Sequence, residues 1–532
     1  MSQNATYHNR VASRLSPEIL EMVFRFTAAA WPTSKRGVEG RRYDLGWIQV
    51  THVCRYWREV ALRDYRLWME ISLNEVSAPW RSEMLVRSRN RPLALSVDFR
   101  RSEPDLYDDL LCAVIKESTL LCTKHLSVTL PFDQHSALEV LVNVFVYTGT
   151  APLLESLDIT NGLQSYSYPI PPHLLQTGMP PDAPNLKSLR LVNCCINWSM
   201  PRFKTLTHLD IEVTVPSKYP RWDVKHGTTS YHLVTGLRSL PALESLRLRG
   251  IFRKSTTEAI GPQLDPNEVT RLPNLTELWL HGPTQICVEV ALHLEYPSTT
   301  RVQIRTTKGP ATHDLPQLLS RLPALCTLKL DLRYWADMHM TLWDAHHDRK
   351  SAHTATPIFD LNIGRSPDRK SQANYVTGNP LLGLKLQNIT SLIFETSRTL
   401  PEFWPEERWR MLFAPAVNVR ALHLIDKPAL AGALLGLCSP VEGKHASFCG
   451  PEFMMLFPSL EKLAFSGLTM HDMLIDDLPI WDLLFWCLEL RRTRGCDIKL
   501  VELPGPRYVY PPETPWNRLQ GLVTARIGEF VG

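Results

Sequence analysis

The segment at 241–248 reads PALESLRL and carries leucine at positions 243, 246 and 248. Alternate side chains of a β-strand point to opposite faces, so these leucines point toward a core and Arg247 points away from it. The leading proline has no backbone N–H to donate, so it stops a preceding helix and fixes a turn. The segment therefore predicts a turn followed by a short strand that is buried on one face.

This pattern recurs along most of the chain, in ten copies altogether. The other clear copies are PLLESLDI from Pro152, PNLKSLRL from Pro184, PNLTELWL from Pro273, PALCTLKL from Pro323 and PSLEKLAF from Pro458. The weaker copies are KTLTHLDI from Lys204, PSTTRVQI from Pro297, QNITSLIF from Gln387 and VNVRALHL from Val417. A further strand is expected at 124–130, where the first leucine is missing. The repeated proline accounts for part of the high total of 41.

The L-x-x-L-x-L core of these copies is the signature of the leucine-rich repeat. Segments with helical periodicity lie between or beside the expected strands, at 105–118, 136–147, 405–413 and 478–494. Asp265 with Glu268 has the spacing of a helix start. We therefore expect an α/β fold over 91–503: a solenoid curved into a horseshoe, with a parallel sheet on its concave side. The alternative is an ordinary α/β protein, and ten copies without a glycine-rich loop make it less favoured.

Two segments depart from the repeat. Residues 336–378 are rich in His, Asp, Lys, Ser and Asn, a composition that predicts an exposed and disordered loop. Residues 504–532 contain a cluster of prolines and are expected to form a C-terminal tail.

The region at 14–73 contains no copy of the repeat and predicts a module of three short helices. Ser16 is suited to an N-cap with Pro17 in the first turn, and Ile19, Leu20, Val23 and Phe24 supply an apolar side. A polar insertion at 32–44 precedes the tryptophan-rich stretch LGWIQVTHVCRYWREVAL from Leu45. A unit of this size is marginally stable alone, so we expect it to dock on another protein.

These residues resemble the F-box family, particularly its extended form in fungal proteins with degenerate leucine-rich repeats. The matching motifs are LSPEIL at 15–20, with serine where proline is more usual, VCRYW at 53–57 and LW at 67–68. The resemblance implies binding to the Skp adaptor of a Skp–cullin–F-box ubiquitin ligase, with the repeats capturing the substrate. The residues expected to contact the adaptor are Leu15, Pro17, Ile19, Leu20, Val53, Trp57 and Trp68.

The outward positions of the repeat strands predict where a substrate binds. The candidate residues are Arg190, Arg247, Arg249, Trp279, Arg301, Arg305 and Lys329. Because arginine pairs bidentately with carboxylate or phosphate, we expect an acidic or phosphorylated segment of a substrate protein. The alternative is a solvated face with scattered charges, since Asp210, Glu277 and Asp331 interrupt the cations.

Other classes of function lack support in the sequence. The formal charge of +4 does not predict a nucleic-acid binder, and the absence of P-loop, G-x-G-x-x-G, G-x-S-x-G and H-E-x-x-H motifs predicts neither enzyme activity nor a cofactor. The 11 cysteines form no C-x-x-C pair and are expected to be buried, and the histidines near 339–353 are not expected to bind metal. Without a signal sequence or an apolar span, we expect a cytoplasmic or nuclear protein without a membrane partner. A repeat scaffold without a ligase role remains the alternative function.

Overall fold

In the computed structural model, the described residues are 15–36, 42–101, 121–130, 151–161, 183–194, 196, 198, 203–214, 228–252, 264–265, 268–306, 314–333, 337–364, 381–396, 406–425, 430–438, 455–466, 474–475, 478–503 and 513–527. The chain divides into two compact units. The first comprises Met1–Leu264 and Thr270–Leu275, and the second Asp265–Val269 and Thr276–Gly532. No helix in these described ranges is long and apolar enough to cross a membrane.

The first unit begins with a helical module. Its elements are α1 (Pro17–Ala30), β1 (Ser34–Arg36), β2 (Arg42–Asp44), a 3₁₀ helix (Gly46–His52), α2 (Arg55–Arg63) and a second 3₁₀ helix (Tyr65–Trp68). The prediction of three helices was thus correct for α1 and α2, whereas the remaining helical turns are 3₁₀. Gly46 has a positive φ of +52°, and a Cβ there would overlap the carbonyl of Pro32, so the turn at this position requires glycine.

Tryptophan side chains fill the core of the helical module. The ring of Trp68 lies 4.9 Å from that of Trp47, and its indole nitrogen donates to the carbonyl of Ala61 at 3.0 Å. Phe24 of α1 packs edge-on against Trp57 of α2, with ring centroids 5.3 Å apart. These large side chains give a short helical segment the apolar area that its length would not otherwise supply.

The module leads directly into a parallel sheet. The strands of the first unit are β3 (Glu70–Ser72), β4 (Leu93–Asp98), β5 (Thr123–Leu130), β6 (Ser156–Asn161), β7 (Ser188–Val192), β8 (His208–Glu212) and β9 (Ser245–Arg249), with the short β10 (Thr270–Arg271). Strands β3 to β9 pair in chain order, and every pairing is parallel. Its other elements are a 3₁₀ helix (Phe99–Arg101), α3 (Ala78–Arg87) and α4 (Ser230–Leu237).

The predicted boundary between helical module and repeats was wrong in one respect. The sheet begins at Glu70, inside the expected module of 14–73 and ahead of the expected repeat start at 91. The repeat pattern did not reveal β3 because this three-residue strand contributes a single buried apolar side chain, Ile71.

The second unit contains a longer, mostly parallel sheet. The strands of this unit are β11 (Glu277–Gly282), β12 (Leu294–Glu295), β13 (Arg301–Thr306), β14 (Thr327–Arg333), β15 (Asp337–Trp343), β16 (Phe359–Ile363), β17 (Ser391–Thr396), β18 (Ala421–Ile425), β19 (Lys462–Ser466), β20 (Leu474–Ile475), β21 (Leu478–Pro479), β22 (Leu500–Leu503) and β23 (Thr524–Ile527). The sheet order is β11-β13-β16-β15-β14-β17-β18-β19-β22-β23. Only β15 in this order runs antiparallel to its neighbours.

Helices follow many strands of the second unit. They are α5 (Thr284–Leu292), α6 (Leu315–Ser320), α7 (Arg349–Thr354), α8 (Glu406–Phe413), α9 (Leu430–Cys438), α10 (Ile480–Thr493) and α11 (Glu513–Leu522), with a 3₁₀ helix (Leu386–Asn388). The helices expected at 405–413 and 478–494 are confirmed as α8 and α10, whereas those at 105–118 and 136–147 lie outside the described residues. The helix start expected at Asp265 was wrong: its carbonyl accepts from the N–H of Glu268 in a turn before β10.

The predicted disordered loop at 336–378 is also corrected. Residues 337–363 form β15, α7 and β16, and both strands lie inside the sheet. Met338, Met340 and Leu342 alternate with polar residues, so one face of β15 is buried although the composition is polar. Residues 365–380 lie outside the described part of the chain.

The predicted C-terminal tail at 504–532 likewise contains ordered elements. Helix α11 buries Leu519, and β23 pairs in parallel with β22 to extend the sheet. The prolines that suggested a tail lie largely at 504–512, outside the described residues, and did not report on the helix that follows.

The ten copies of the repeat are confirmed as strands. In each copy a strand begins at the fifth of the eight residues, and the sixth and eighth residues are buried. The third residue is buried in nine copies, the exception being the exposed Thr299. In eight copies its N–H donates to the carbonyl of the residue just before the copy. This closes a β-turn with proline or its substitute at the second position, where proline is favoured.

Side chains also join the turns of successive repeats. The second residue of four copies donates to the carbonyl of the first residue in the copy before. The pairs are Asn185 with Pro152 at 2.7 Å, Thr205 with Pro184 at 2.9 Å, Asn274 with Pro241 at 3.4 Å, and Asn418 with Gln387 at 2.7 Å. In these four pairs, the turns of successive repeats are therefore hydrogen-bonded to each other, as their strands are. The predicted horseshoe curvature stays a prediction.

Candidate functional site

Helix α1 has three chemically distinct sides. Leu20 and Phe24 are fully buried in the module. A charged side carries Glu18, Glu21 and Arg25. The remaining side is apolar and exposed: Ile19 is 45% exposed, Met22 51%, Val23 40% and Phe26 71%. These four residues follow the i, i+3, i+4, i+7 spacing that places side chains on one side of a helix. They are called the docking face below.

Polar contacts hold α1 in a fixed orientation on the module. The Asp64 carboxylate, whose side chain is 1% exposed, accepts from Arg66 Nε at 2.7 Å, and Arg66 Nη2 reaches Glu21 of α1 at 2.7 Å. The Tyr56 hydroxyl of α2 donates to the carbonyl of Leu15 at 2.9 Å, which ties down the start of α1. The docking face is thus presented by a helix whose other sides are engaged.

The residues predicted to contact an adaptor separate into two groups. Leu15, Pro17, Ile19 and Val53 are exposed and Trp57 is half-buried. Leu20 and Trp68 are fully buried in the core of the module, so their assignment as contact residues was wrong. Sequence reasoning missed Met22 and Phe26 because it placed Ile19, Leu20, Val23 and Phe24 on one apolar side of the helix, although the spacing from Ile19 contained the signal.

The outward face of the first unit's sheet carries alternating charges. Asp158, Arg190 and Asp210 occupy one register position on β6, β7 and β8. Arg190 lies 3.1 Å from Asp158 and 3.7 Å from Asp210. Arg249 on β9 lies 2.8 Å from Glu212 and 3.6 Å from Asp210. Two of the cations expected to bind substrate are therefore paired with carboxylates of neighbouring strands.

The remaining predicted cation of this face, Arg247, is half-buried and occupies the register position opposite Asp210. A guanidinium that already faces a carboxylate has less to gain from a second anion, because the first interaction must be exchanged for the new one. On the first unit, the alternative of a solvated face with scattered charges therefore fits better than substrate binding by Arg190, Arg247 and Arg249, because Arg190 and Arg249 pair with carboxylates of neighbouring strands.

In the second unit, the inserted strands bring a polar network onto the outward face. His339 of β15 contacts Asp360 of β16, with Nε2 and Oδ1 2.6 Å apart. The other oxygen of Asp360 accepts from Gln303 of β13 at 3.0 Å. Lys329 of β14, also expected to bind substrate, pairs with Glu395 of β17 at 2.8 Å. Lys329 is therefore engaged in the same way as the cations of the first unit.

Two arginines on β13 differ from the cations that are paired with carboxylates. Arg301 and Arg305 are exposed, and although Arg301 is in register with Glu277 of β11, the described stretches of the chain contain no ion pair to either arginine. The Arg305 guanidinium lies over the ring of Trp279 on β11, 5.8 Å from the centroid. Arg301, Arg305 and Trp279 are called the arginine patch below. Of the seven residues expected to bind substrate, Arg301 and Arg305 retain a guanidinium that an anion can approach.

The histidine-rich segment shows ordinary structural roles. Asp348 caps α7, because its carboxylate accepts hydrogen bonds from the backbone N–H and the hydroxyl of Ser351. These hydrogen bonds lower the pKa of the Asp348 carboxyl. The ring of His347 lies 5.9 Å from that of Trp343, and His339 pairs with Asp360. Within the residues that the structure describes, no group of three or more His, Cys, Asp or Glu side chains is arranged to hold a metal ion.

The described cysteines are free thiols, four of them buried and four partly buried. Contact with Cys487 of α10 and burial both raise the pKa of Cys438 on α9, and burial raises the pKa of Cys287 on α5. A thiol with a raised pKa is a poor nucleophile. Cys287 and Cys438 therefore behave as small core residues.

Comparisons with known proteins give little likeness in sequence. No family model matches the chain, and no curated protein matches it. Among solved structures, the chain is similar to the leucine-rich repeat-containing protein LegL7 from Legionella pneumophila, with 13% identity, 79% of this chain and 97% of that chain covered, and a TM-score of 0.24.

The class of the protein follows from its own strands and turns. It has a mixed α/β fold with mostly parallel sheets, in which an eight-residue turn-and-strand unit recurs ten times with its apolar residues inward. This is a leucine-rich-repeat-like architecture. Such repeats stack into extended surfaces, which suits them to binding other proteins.

Proposed function

We propose that this chain is the substrate-recognition subunit of a Skp–cullin–F-box ubiquitin ligase, acting in the cytoplasm or nucleus without a cofactor of its own. In this proposal the docking face binds the Skp-type adaptor and the repeat sheets bind the substrate protein. The observation that carries it is the docking face itself: four large apolar side chains, exposed at i, i+3, i+4 and i+7 on a helix that is fixed on its other sides.

Physical chemistry favours a protein partner for this face. Phe26 is 71% exposed and Met22 is 51% exposed. Full burial of a large apolar side chain stabilises a protein or complex by roughly 1.5–3 kcal/mol, and these two side chains lack most of that free energy while they are exposed. Placing an amphipathic helix in a groove is a common way of recovering such a gain in a complex. The resemblance of 15–20, 53–57 and 67–68 to the F-box supports a Skp-type adaptor as that partner.

The test is co-purification of the full chain with a Skp-type adaptor. The double variant Ile19→Ala/Phe26→Ala removes two exposed side chains without touching the buried Leu20 and Phe24. Because interface anchors typically cost about 2 kcal/mol or more when truncated, we expect its affinity for the adaptor to fall by at least about 100-fold.

The matched control is Val86→Ala on α3, which shortens an apolar side chain that is 74% exposed outside the docking face. It should bind the adaptor as the wild type does. Absence of adaptor binding by the wild type, or undiminished binding by the double variant, would overturn the ligase assignment and favour a repeat scaffold without that role.

A further inference from the structure

We propose that the arginine patch is the recognition site for an anionic group, carboxylate or phosphate, on an extended segment of a substrate protein. This inference deepens the substrate-binding part of the proposed function and rests on it for the biological role. The binding event itself does not depend on the adaptor.

The first argument is the availability of positive charge. Arg190 and Arg249 each lie within 4 Å of two carboxylates, and Lys329 lies 2.8 Å from Glu395. An incoming anion would have to displace a carboxylate from these cations, which offsets most of the gain. Arg301 and Arg305 require no such displacement: both are exposed, and no ion pair to either is formed within the described residues, although Glu277 is in register with Arg301.

The second argument is orientation. The Arg305 guanidinium lies over the ring of Trp279, 5.8 Å from its centroid, a cation–π contact that restricts the side chain while the residue remains exposed. A guanidinium held in this way loses less conformational entropy when it binds the two oxygens of a carboxylate or phosphate. Trp279 is therefore a positioning residue for Arg305.

The third argument is spacing. Arg301 and Arg305 are separated by four residues on β13 and lie on the same side of it, with Gln303 between them. At about 3.3 Å per residue, their backbone positions are about 13 Å apart, the rise of four residues in an extended peptide. The patch therefore matches two acidic groups at positions i and i+4 of an extended segment.

The experiment uses the full chain and three fluorescent peptides of one glycine- and serine-rich sequence. The peptides carry Ser, Glu or phosphoserine at two positions spaced i and i+4, and anisotropy titrations are run at low and physiological salt. We expect the wild type to bind at least one acidic peptide about tenfold or more tightly than the Ser peptide. Tighter binding of both acidic peptides identifies general acidity as the determinant, and tighter binding of only the phosphoserine peptide identifies phosphate.

The decisive variant is Arg301→Gln/Arg305→Gln, which should remove the preference for acidic peptides. The matched control is Arg190→Gln/Arg249→Gln, which removes two cations that already have carboxylate partners and should keep the preference. Equal binding of all three peptides by the wild type would overturn the proposal, as would a preference that survives in the Arg301/Arg305 variant.

The two proposals fail separately in these measurements. Ile19→Ala/Phe26→Ala should bind the acidic peptide normally while losing the adaptor, and Arg301→Gln/Arg305→Gln should keep the adaptor. Loss of peptide selectivity with intact adaptor binding would locate the error in the patch. Intact selectivity without adaptor binding would locate it in the ligase assignment.

Discussion

The outward sheet faces of the two units carry similar residue types and use them differently. On the first unit, Asp158, Arg190 and Asp210 share one register position, and Arg190 lies within ion-pair distance of both aspartates. On the second, Arg305 lies over the ring of Trp279, and Arg301 is in register with Glu277 but forms no ion pair with any described residue. The comparison teaches that an outward arginine on a repeat strand is informative only together with the ion pairs it forms, because a carboxylate at the same register on the neighbouring strand does not by itself form one.

A third use of a cation appears on α10. Arg491 is completely buried, and its guanidinium donates to the carbonyls of Leu456 at 2.9 Å, Phe457 at 2.7 Å and Cys496 at 3.2 Å. Burial lowers its pKa. The side chain ties the end of α10 to the turn that precedes β19, so it organises the repeat rather than reaching a partner.

The largest effect on stability should come from Arg491→Met, which keeps much of the side-chain volume and leaves buried carbonyls without their donor. Hydrogen bonds to charged groups contribute about 1.5–3 kcal/mol, so we expect the free energy of unfolding to fall by about 2–4 kcal/mol. Denaturant unfolding, with hydrogen exchange followed at 455–466, measures the loss. Arg492→Met alters the exposed neighbour on the same helix and should change stability little; equal effects of the two substitutions would contradict the role given to Arg491.

A smaller effect is expected from Asp210→Asn in the first unit, where the carboxylate lies within 4 Å of Arg190 and Arg249. Cross-strand ion pairs of this kind contribute about 0.5–1 kcal/mol, and about 1 M salt should remove most of the difference from wild type. Arg301→Gln in the second unit should leave stability unchanged. If Arg301→Gln destabilises the protein as much as Asp210→Asn does, the contrast between the two faces is wrong.

The smallest effect concerns the inserted segment of the second unit. Asp348→Ala removes the cap of α7 and should cost about 0.5–1 kcal/mol near neutral pH. The hydrogen bonds from Ser351 hold the pKa of Asp348 below its usual value of 3.8, so the carboxylate stabilises the fold above that value. This contribution is lost as pH falls through the lowered pKa. Unfolding curves of variant and wild type should therefore converge under acid; a gap that stays constant with pH would point to lost packing instead.

The strands of the repeats were predictable because their signal is local. Leu243, Leu246 and Leu248 define a face by spacing alone, and the proline ahead of them fixes the turn, so the start of each strand followed from the pattern. The same reasoning failed at β15 and β16, where polar residues dominate the composition. The alternation of Met338, Met340 and Leu342 was present there, but the composition of the whole segment outweighed it.

The candidate sites were predictable only in part, because they depend on neighbours distant in sequence. Arg249 was recognised as outward-facing, yet its partner Glu212 lies on another repeat and no local pattern pairs them. Leu20 and Trp68 match F-box motifs, but apolar motif residues serve the core as often as the surface. Separating the two uses required knowledge of which side of α1 faces α2 and the second 3₁₀ helix.

The side-chain hydrogen bonds between successive turns have a consequence for how this chain tolerates change in length. The bonds from Asn185, Thr205, Asn274 and Asn418 close intervals of 33, 21, 33 and 31 residues, so one contact geometry is reached across segments of unequal size. Doubling a flexible loop costs only about 0.6 kcal/mol in closure entropy. Insertions and deletions between a strand and the next turn are therefore weakly selected against, while a shift of one residue between the turn and its strand would turn every leucine outward. The sequence history of such a chain should show drifting lengths between repeats and an invariant eight-residue spacing within them.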